Sequence, residues 1–135
     1  MIKTLEKIAK SAGKIIINHY KKIGSKIEKK SDGSPITVAD LESEDYIVSQ
    51  LRKNFSYPII TEENSEPYGN RKNWDTYWLV DPLDGTKDFI NKEDEFTVNI
   101  ALIDGHRPVV GVVYAPALDM IYTASLNKGA KKNGK

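Results

Sequence analysis

Leu5, Ile8, Ala9, Ala12, Ile15, Ile16 and Tyr20 recur at the spacing of a single helical face, with Lys3, Lys7, Lys10, Lys14 and Lys21 mostly around the other. This pattern predicts a first helix packed on a sheet with its lysines in water. A basic helix lying on a membrane surface is the alternative, and the packed helix is preferred to it. After Gly24, residues 25–30 alternate weakly and read as an edge strand, followed by the turn cluster Ser31-Asp32-Gly33-Ser34-Pro35. Thr37-Val38-Ala39-Asp40 has the Thr-x-x-acid form of a capping box, which starts a second helix running from about Val38 to Asn54. Its expected inner stripe is Leu41, Val48, Leu51 and Phe55, with Ile47 beside it. Pro58-Ile59-Ile60-Thr61 reads as a short strand running into Glu62 and Glu63, and residues 64–73, polar with Pro67 and Gly69, read as a loop.

Strand patterns dominate the rest. Tyr77-Trp78-Leu79-Val80 leads into Asp81-Pro82-Leu83-Asp84-Gly85-Thr86. Residues 96–103 alternate with Phe96, Val98, Ile100 and Leu102 on one side; Asp104-Gly105 turns the chain, and residues 109–114 form the partner. Residues 116–119 turn it again into a strand over 120–125. Helices followed by antiparallel strands make an α+β fold, two N-terminal helices packed on a mainly antiparallel sheet. Trp74 and Trp78 read as packing residues, His19 as a helix-end residue and His106 as a turn residue. Asn133-Gly134 is a hairpin-turn pair followed only by Lys135. A turn without a partner strand suggests half of a larger unit.

Composition narrows the class. A chain of 135 residues suits one domain, and 39% hydrophobic with 29% charged residues describes a globular protein. The net charge of +1 gives no support for a nucleic-acid scaffold. With no cysteine there is no disulfide, thiolate metal site or Cys nucleophile, which suits a reducing cytoplasm, the expected location. The Lys-studded N-terminus is no signal peptide, and no stretch reaches transmembrane length.

Four acids fall at element ends: Asp40 in the first turn of the second helix, Glu62 after a strand, and Asp81 and Asp84 after another. Carboxylates that meet there repel unless a cation neutralises them, and hard oxygens without Cys or paired His point to Mg²⁺ or Mn²⁺. Pro82 stiffens a turn between the two aspartates, whose spacing of three can bring both carboxylates to one side. The Leu83 carbonyl, if aimed inward, is a further candidate oxygen ligand, and Gly85 lets the backbone approach an anion closely. If Thr86-Lys87-Asp88-Phe89 opens a helix, its free N–H groups face a phosphate. Taken singly, Asp40 is a capping acid, Glu62 and Glu63 are surface carboxylates, and Asp-Pro and Asp-Gly are ordinary turns. The six-residue string is much more specific, and it fits metal-assisted phosphate-ester hydrolysis. Haloacid-dehalogenase-type phosphatases set their aspartates two apart; the spacing of three with proline between disfavours an aspartyl-phosphate mechanism. Asp88, Glu93, Asp94 and Glu95 add negative potential beside this string or lie in a solvated loop; Lys87 contacts a phosphate or water.

The string Trp78-Leu79-Val80-Asp81-Pro82-Leu83-Asp84-Gly85-Thr86 resembles the signature of the inositol monophosphatase superfamily of Mg²⁺-dependent, often Li⁺-sensitive phosphatases. Ile36-Thr37-Val38-Ala39-Asp40, Ile60-Thr61-Glu62-Glu63 and Gly129-Ala130-Lys131-Lys132-Asn133-Gly134 agree in order and spacing. Lys30-Ser31-Asp32-Gly33-Ser34-Pro35, Lys87-Asp88-Phe89-Ile90 and residues 96–102 are similar to its 3'(2'),5'-bisphosphate nucleotidase branch. The resemblance implies adenosine 3',5'-bisphosphate as substrate, with inositol 1-phosphate or a related sugar phosphate as the alternative. It implies that Glu62, Asp81 and the Leu83 carbonyl hold one Mg²⁺, and that Asp81 and Asp84 bridge to a second. Thr86, hydrogen-bonded to Asp40, would help activate the attacking water with Glu62, while the Gly85 and Thr86 amides grip the phosphate; Glu62, Leu83 and Asp84 also border the substrate.

Family members run to about twice this length, and the resemblance implies that residues 1–135 are the N-terminal metal-binding domain, half of a layered αβαβα fold. The resemblance therefore implies a missing metal ligand, a weak or inactive catalyst, or a non-catalytic metal-binding domain. It also implies an uncovered apolar face that favours self-association or a C-terminal half supplied in trans.

Overall fold

A computed structural model describes residues 1–22, 27–29, 35–62 and 67–135. The motif residues 30–34 and Glu63 lie outside the described residues. Helix α1 (Ile2–Tyr20) buries Leu5, Ile8, Ala9, Ala12, Gly13 and Ile16, as its periodicity predicts. Gly13 costs helix propensity but lets α1 sit directly on the sheet, since a Cβ there would stand 2.5 Å from the Tyr114 ring. Helix α2 (Val38–Asn54) starts at a complete capping box on Thr37. Its inner line is Asp40, Ser43, Ile47 and Leu51, whereas Leu41 is exposed and Val48 half-buried. The apolar stripe expected from sequence is thus rotated, because the innermost positions of the first turns hold polar groups with buried partners. His19, at the end of α1, meets Glu42 of α2 with 2.8 Å between Nε2 and Oε2.

Strands β1 (Ile27–Lys29) and β2 (Pro35–Thr37) form their own antiparallel pair, so the expected edge strand stands apart from the main sheet. The main sheet contains β3 (Ile59–Thr61), β4 (Thr76–Asp84), β5 (Thr97–Asp104), β6 (Arg107–Ala115), β7 (Met120–Ser125) and β8 (Gly129–Lys132), in that order. β3 runs parallel to β4 and every later pair is antiparallel. Two short helices interrupt the strands: α3 (Tyr68–Arg71), inside the segment expected as loop, and α4 (Thr86–Ile90). β8 has no counterpart among the expected strands either; four exposed residues carry no alternation to betray one.

The two helices cover one face of the sheet, α2 over β4 and α1 over β5, β6 and β7. Trp78, Val80, Val98, Ile100, Leu102, Val112, Tyr114 and Ile121 are buried beneath them. Trp78 packs against Phe55, with ring centres 5.1 Å apart. Tyr20, Phe89 and Phe96 stack where α1 ends, at 4.7–5.5 Å between centres, and fix α4 to the start of β5. The opposite face carries Leu79, Val113 and Tyr122, each at least 38% exposed.

Candidate active site

The site begins with an irregularity in β4. Asp81 pairs with Asn99 and Asp84 with Thr97, so three steps along β4 match two along β5. One extra residue is accommodated in β4, a bulge. In a regular strand, residues three apart point to opposite faces. The bulge cancels that alternation, because the partners Asn99 and Thr97 lie two apart and share a face. Asp81 and Asp84 are thereby brought to the same, helix-free side. The expected proline turn is in fact a bulged strand, with the two carboxylates on one side as the spacing argument requires.

Helix α2 clamps this bulge from beneath. Ser43 Oγ donates to the Pro82 carbonyl at 2.7 Å, and Thr86 Oγ1 donates to Asp40 Oδ1 at 2.9 Å. Asp40 is fully buried, and its other oxygen accepts from the Thr37 N–H and hydroxyl at 2.9 and 2.5 Å. A buried carboxylate so filled with donors is held rigidly, and it holds Thr86 in turn. The Thr86 hydroxyl also lies 3.3 Å from the Leu83 carbonyl oxygen, and the Leu83 N–H donates to Asp81 Oδ1 at 3.3 Å. Gly85 precedes α4 with φ +90°; a Cβ there would lie 3.1 Å from Asp88 Oδ2 and 3.4 Å from the Glu95 carbonyl, so only glycine fits unstrained.

Glu62 enters from β3. Its N–H donates to the Val80 carbonyl at 2.9 Å, extending the parallel ladder one residue and setting Glu62 next to Asp81. Glu62, Asp81 and Asn99 line a common cavity of about 660 Å³ that spreads over the apolar open face past Leu79, Val113 and Tyr122. Asp84 lies outside that lining, exposed, and accepts from Asn99 Nδ2 at 3.1 Å. Among the described residues no three acidic or histidine side chains are already gathered closely enough to hold an ion in common. The structure thus brings Asp40, Leu83, Gly85 and Thr86 into one bonded unit and sets Glu62, Asp81 and Asp84 around its mouth.

The surroundings are acidic. Asp88 hydrogen-bonds Glu93, and that bond and its charge push the Glu93 carboxyl up from the ordinary range, with smaller contributions from burial and Glu95. Asp94 acts differently, accepting from the Tyr20 hydroxyl at 2.6 Å and so tethering the loop to α1. Lys87 is exposed. An anionic phosphate entering here meets mostly negative charge, which is a reason for a cation to accompany it.

Three supporting roles go unread in the motifs, although Thr61 and Asn99 lie inside the strings that carry the resemblance. Ser43 and Asn99 sit in patterned elements and look like solvent positions, and Thr61 donates to Glu44 of α2. A signal for Asn99 exists in the alternation: Val98 and Ile100 face the helices, so residue 99 must face the aspartates.

The profile described as the inositol monophosphatase family matches residues 1–135. The 3'(2'),5'-bisphosphate nucleotidase CysQ of Escherichia coli (strain K12) is 42% identical over 98% of this chain and 54% of its own length. CysQ from Bacteroides thetaiotaomicron, described as a bacterial member of the inositol monophosphatase family, superposes with a TM-score of 0.80 at 43% identity, over 93% of this chain and 45% of that one. The extragenic suppressor protein SuhB from Bartonella henselae superposes with a TM-score of 0.88 at 27% identity, over 99% of this chain and 52% of that one. The chain spans about half the length of the curated relatives it matches.

Proposed function

The chain belongs to the inositol monophosphatase family, and we propose that it carries the metal- and phosphate-binding half of a phosphomonoesterase that converts adenosine 3',5'-bisphosphate to AMP and phosphate. Likeness to the CysQ nucleotidases over 98% of the chain supports this reading. The observation that carries it is the β4 bulge, which turns Asp81 and Asp84 to one side beside Glu62, with Thr86 locked to buried Asp40 behind them.

The donor chemistry fits Mg²⁺: the carboxylates of Glu62, Asp81 and Asp84 and the Leu83 carbonyl are hard oxygens at adjacent positions. When bound, Mg²⁺ supplies neutralisation of the phosphoryl oxygens and Lewis acidity. The chain's own groups do the rest. Thr86, whose proton is engaged by Asp40, presents a lone pair to an attacking water and orients it, with Glu62 taking part in its deprotonation. The new P–O bond forms as the ester P–O bond breaks, and the freed alkoxide oxygen takes up a proton to leave as the hydroxyl. The Gly85 and Thr86 amides hold the phosphoryl oxygens.

The open apolar face is the second part of the proposal. It is covered by a C-terminal half such as the full-length relatives possess or, failing that, by a second copy of the chain. Among the described residues no helix is long and apolar enough to cross a membrane; a cytoplasmic location accords with the CysQ likeness.

The test is Mg²⁺-dependent phosphate release from adenosine 3',5'-bisphosphate and from inositol 1-phosphate, with and without the C-terminal half of a nucleotidase relative. The chain alone should turn over poorly, and the combined halves should prefer the nucleotide. Faster release from inositol 1-phosphate would transfer the assignment to the sugar-phosphate branch. Full activity of the chain alone would contradict the division of labour.

A further inference from the structure

Asn99 is an odd residue for its place. It lies in the middle of β5 between Val98 and Ile100, where asparagine has poor strand propensity. It is half-buried, stands opposite Asp81 in the ladder, and donates through Nδ2 to Asp84 Oδ2 at 3.1 Å. Its own amide oxygen is occupied, accepting from Thr97 Oγ1 at 2.9 Å. Thr97 in turn stands opposite Asp84. The chain Thr97–Asn99–Asp84 thus has one polarity: the threonine hydroxyl holds the amide oxygen, so the NH₂ end must face the carboxylate.

We infer that Asn99 is a positioning residue of the metal site: through an amide fixed by Thr97, it sets the orientation of Asp84 and raises the affinity for Mg²⁺. The inference rests on the metal-site reading above. Asp84 is exposed, and an exposed carboxylate loses rotamer freedom when it binds an ion. A donor fixed on the neighbouring strand removes part of that cost beforehand. An amide suits this role better than lysine or arginine would. It engages one carboxylate oxygen without neutralising the charge and leaves Oδ1 for the cation. Asn99 straddles the bulge, opposite Asp81 in the ladder and bonded to Asp84.

The experiment is calorimetric titration of the chain with Mg²⁺, paired with thermal melting and the NMR signals of the Asn99 side-chain amide in metal-free protein. Asn99→Leu and Thr97→Val should each weaken Mg²⁺ binding by about 10-fold or more, the range found when partners of metal ligands are removed. Melting midpoints should stay within about 4 °C of the parent. Thr97→Ser, which keeps the hydroxyl, should bind as the parent does, and Thr97→Val should shift the amide protons of Asn99. Equal Mg²⁺ affinity in the parent, Asn99→Leu and Thr97→Val overturns the inference and leaves the metal reading standing. A parent that binds no Mg²⁺ overturns the metal reading and the affinity role of Asn99 together. In that case the amide signals still decide whether Thr97 orients Asn99: an unchanged spectrum in Thr97→Val overturns the orientation too.

Discussion

Trp78 and Leu79 are neighbours in β4, yet the first is fully buried under α2 and the second is 45% exposed. The whole sheet divides as this pair does. Both faces are apolar along their middle, so hydrophobicity alone does not tell which was meant to be covered. What differs is company. On the helix side the apolar residues join those of α1 and α2 in one buried cluster; on the other side they border Glu62, Asp81 and Asn99 around one cavity. The first face holds the fold together, and the second carries the candidate site.

The sharpest way to break this comparison is to truncate the two neighbours. Trp78→Ala should cost about 3–5 kcal/mol, since it opens a large cavity beneath Phe55. Leu79→Ala should change stability by about 0.5 kcal/mol or less, as exposed positions do. Urea denaturation of the chain, diluted below the concentration at which it self-associates, measures both. Trp78→Phe should be far milder, because Trp78 Nε1 has no hydrogen-bond partner among the described residues to lose. A large loss in Leu79→Ala would mean that the open face is already covered by something in the chain's own solution state.

That possibility leads to the next perturbation. Leu79, Val113 and Tyr122 are the large exposed apolar side chains of the cavity. If the face seeks a cover, the chain alone should self-associate at micromolar concentration. The triple variant Leu79→Ser, Val113→Thr, Tyr122→Ser should sediment as a monomer with a denaturation midpoint close to the parent's. A parent that is itself cleanly monomeric would remove the argument for a covered face.

Much of this division is legible in the sequence, and the exceptions have physical causes. The bounds of α2, the strands over 97–125 and the helical start at Thr86 follow from a capping box, alternation and turn pairs, all local signals. The rotated inner line of α2 is not legible. Asp40 and Ser43 are polar and look like surface residues until Thr86 and Pro82, some forty positions away, arrive as their partners. The bulge is hidden for a similar reason. A proline between two aspartates signals a turn locally, and only the register against Thr97 and Asn99 keeps the segment in the sheet. That Asp81 and Asp84 share a side follows from their spacing, while the bonds around them do not. Pairing partners distant in sequence leave no local trace.

The rim of the covered face bears on alkaline stability. Tyr114, pinned under α1, is pushed up to about 12, first by burial and then by its hydrogen bond to Asp119 and that group's charge. Tyr20 is likewise pushed up to about 12, by burial, the bond to Asp94, and the charges of Asp94 and Glu93. Both native values lie above the ordinary 10, so between pH 10 and 12 the unfolded chain loses these protons before the folded chain does. The contribution of each tyrosine is therefore complete below about pH 10 and fades as the pH rises through about 12. In denaturation midpoints taken from about pH 9 to 12, the parent should weaken steadily above about pH 10. Tyr114→Phe should lose about 1 kcal/mol near neutrality for the missing hydrogen bond, yet weaken less steeply at alkaline pH. Parallel slopes for the two proteins would show that the phenol is no better shielded under α1 than in the unfolded chain, and the contrast between the faces would not extend to the rim.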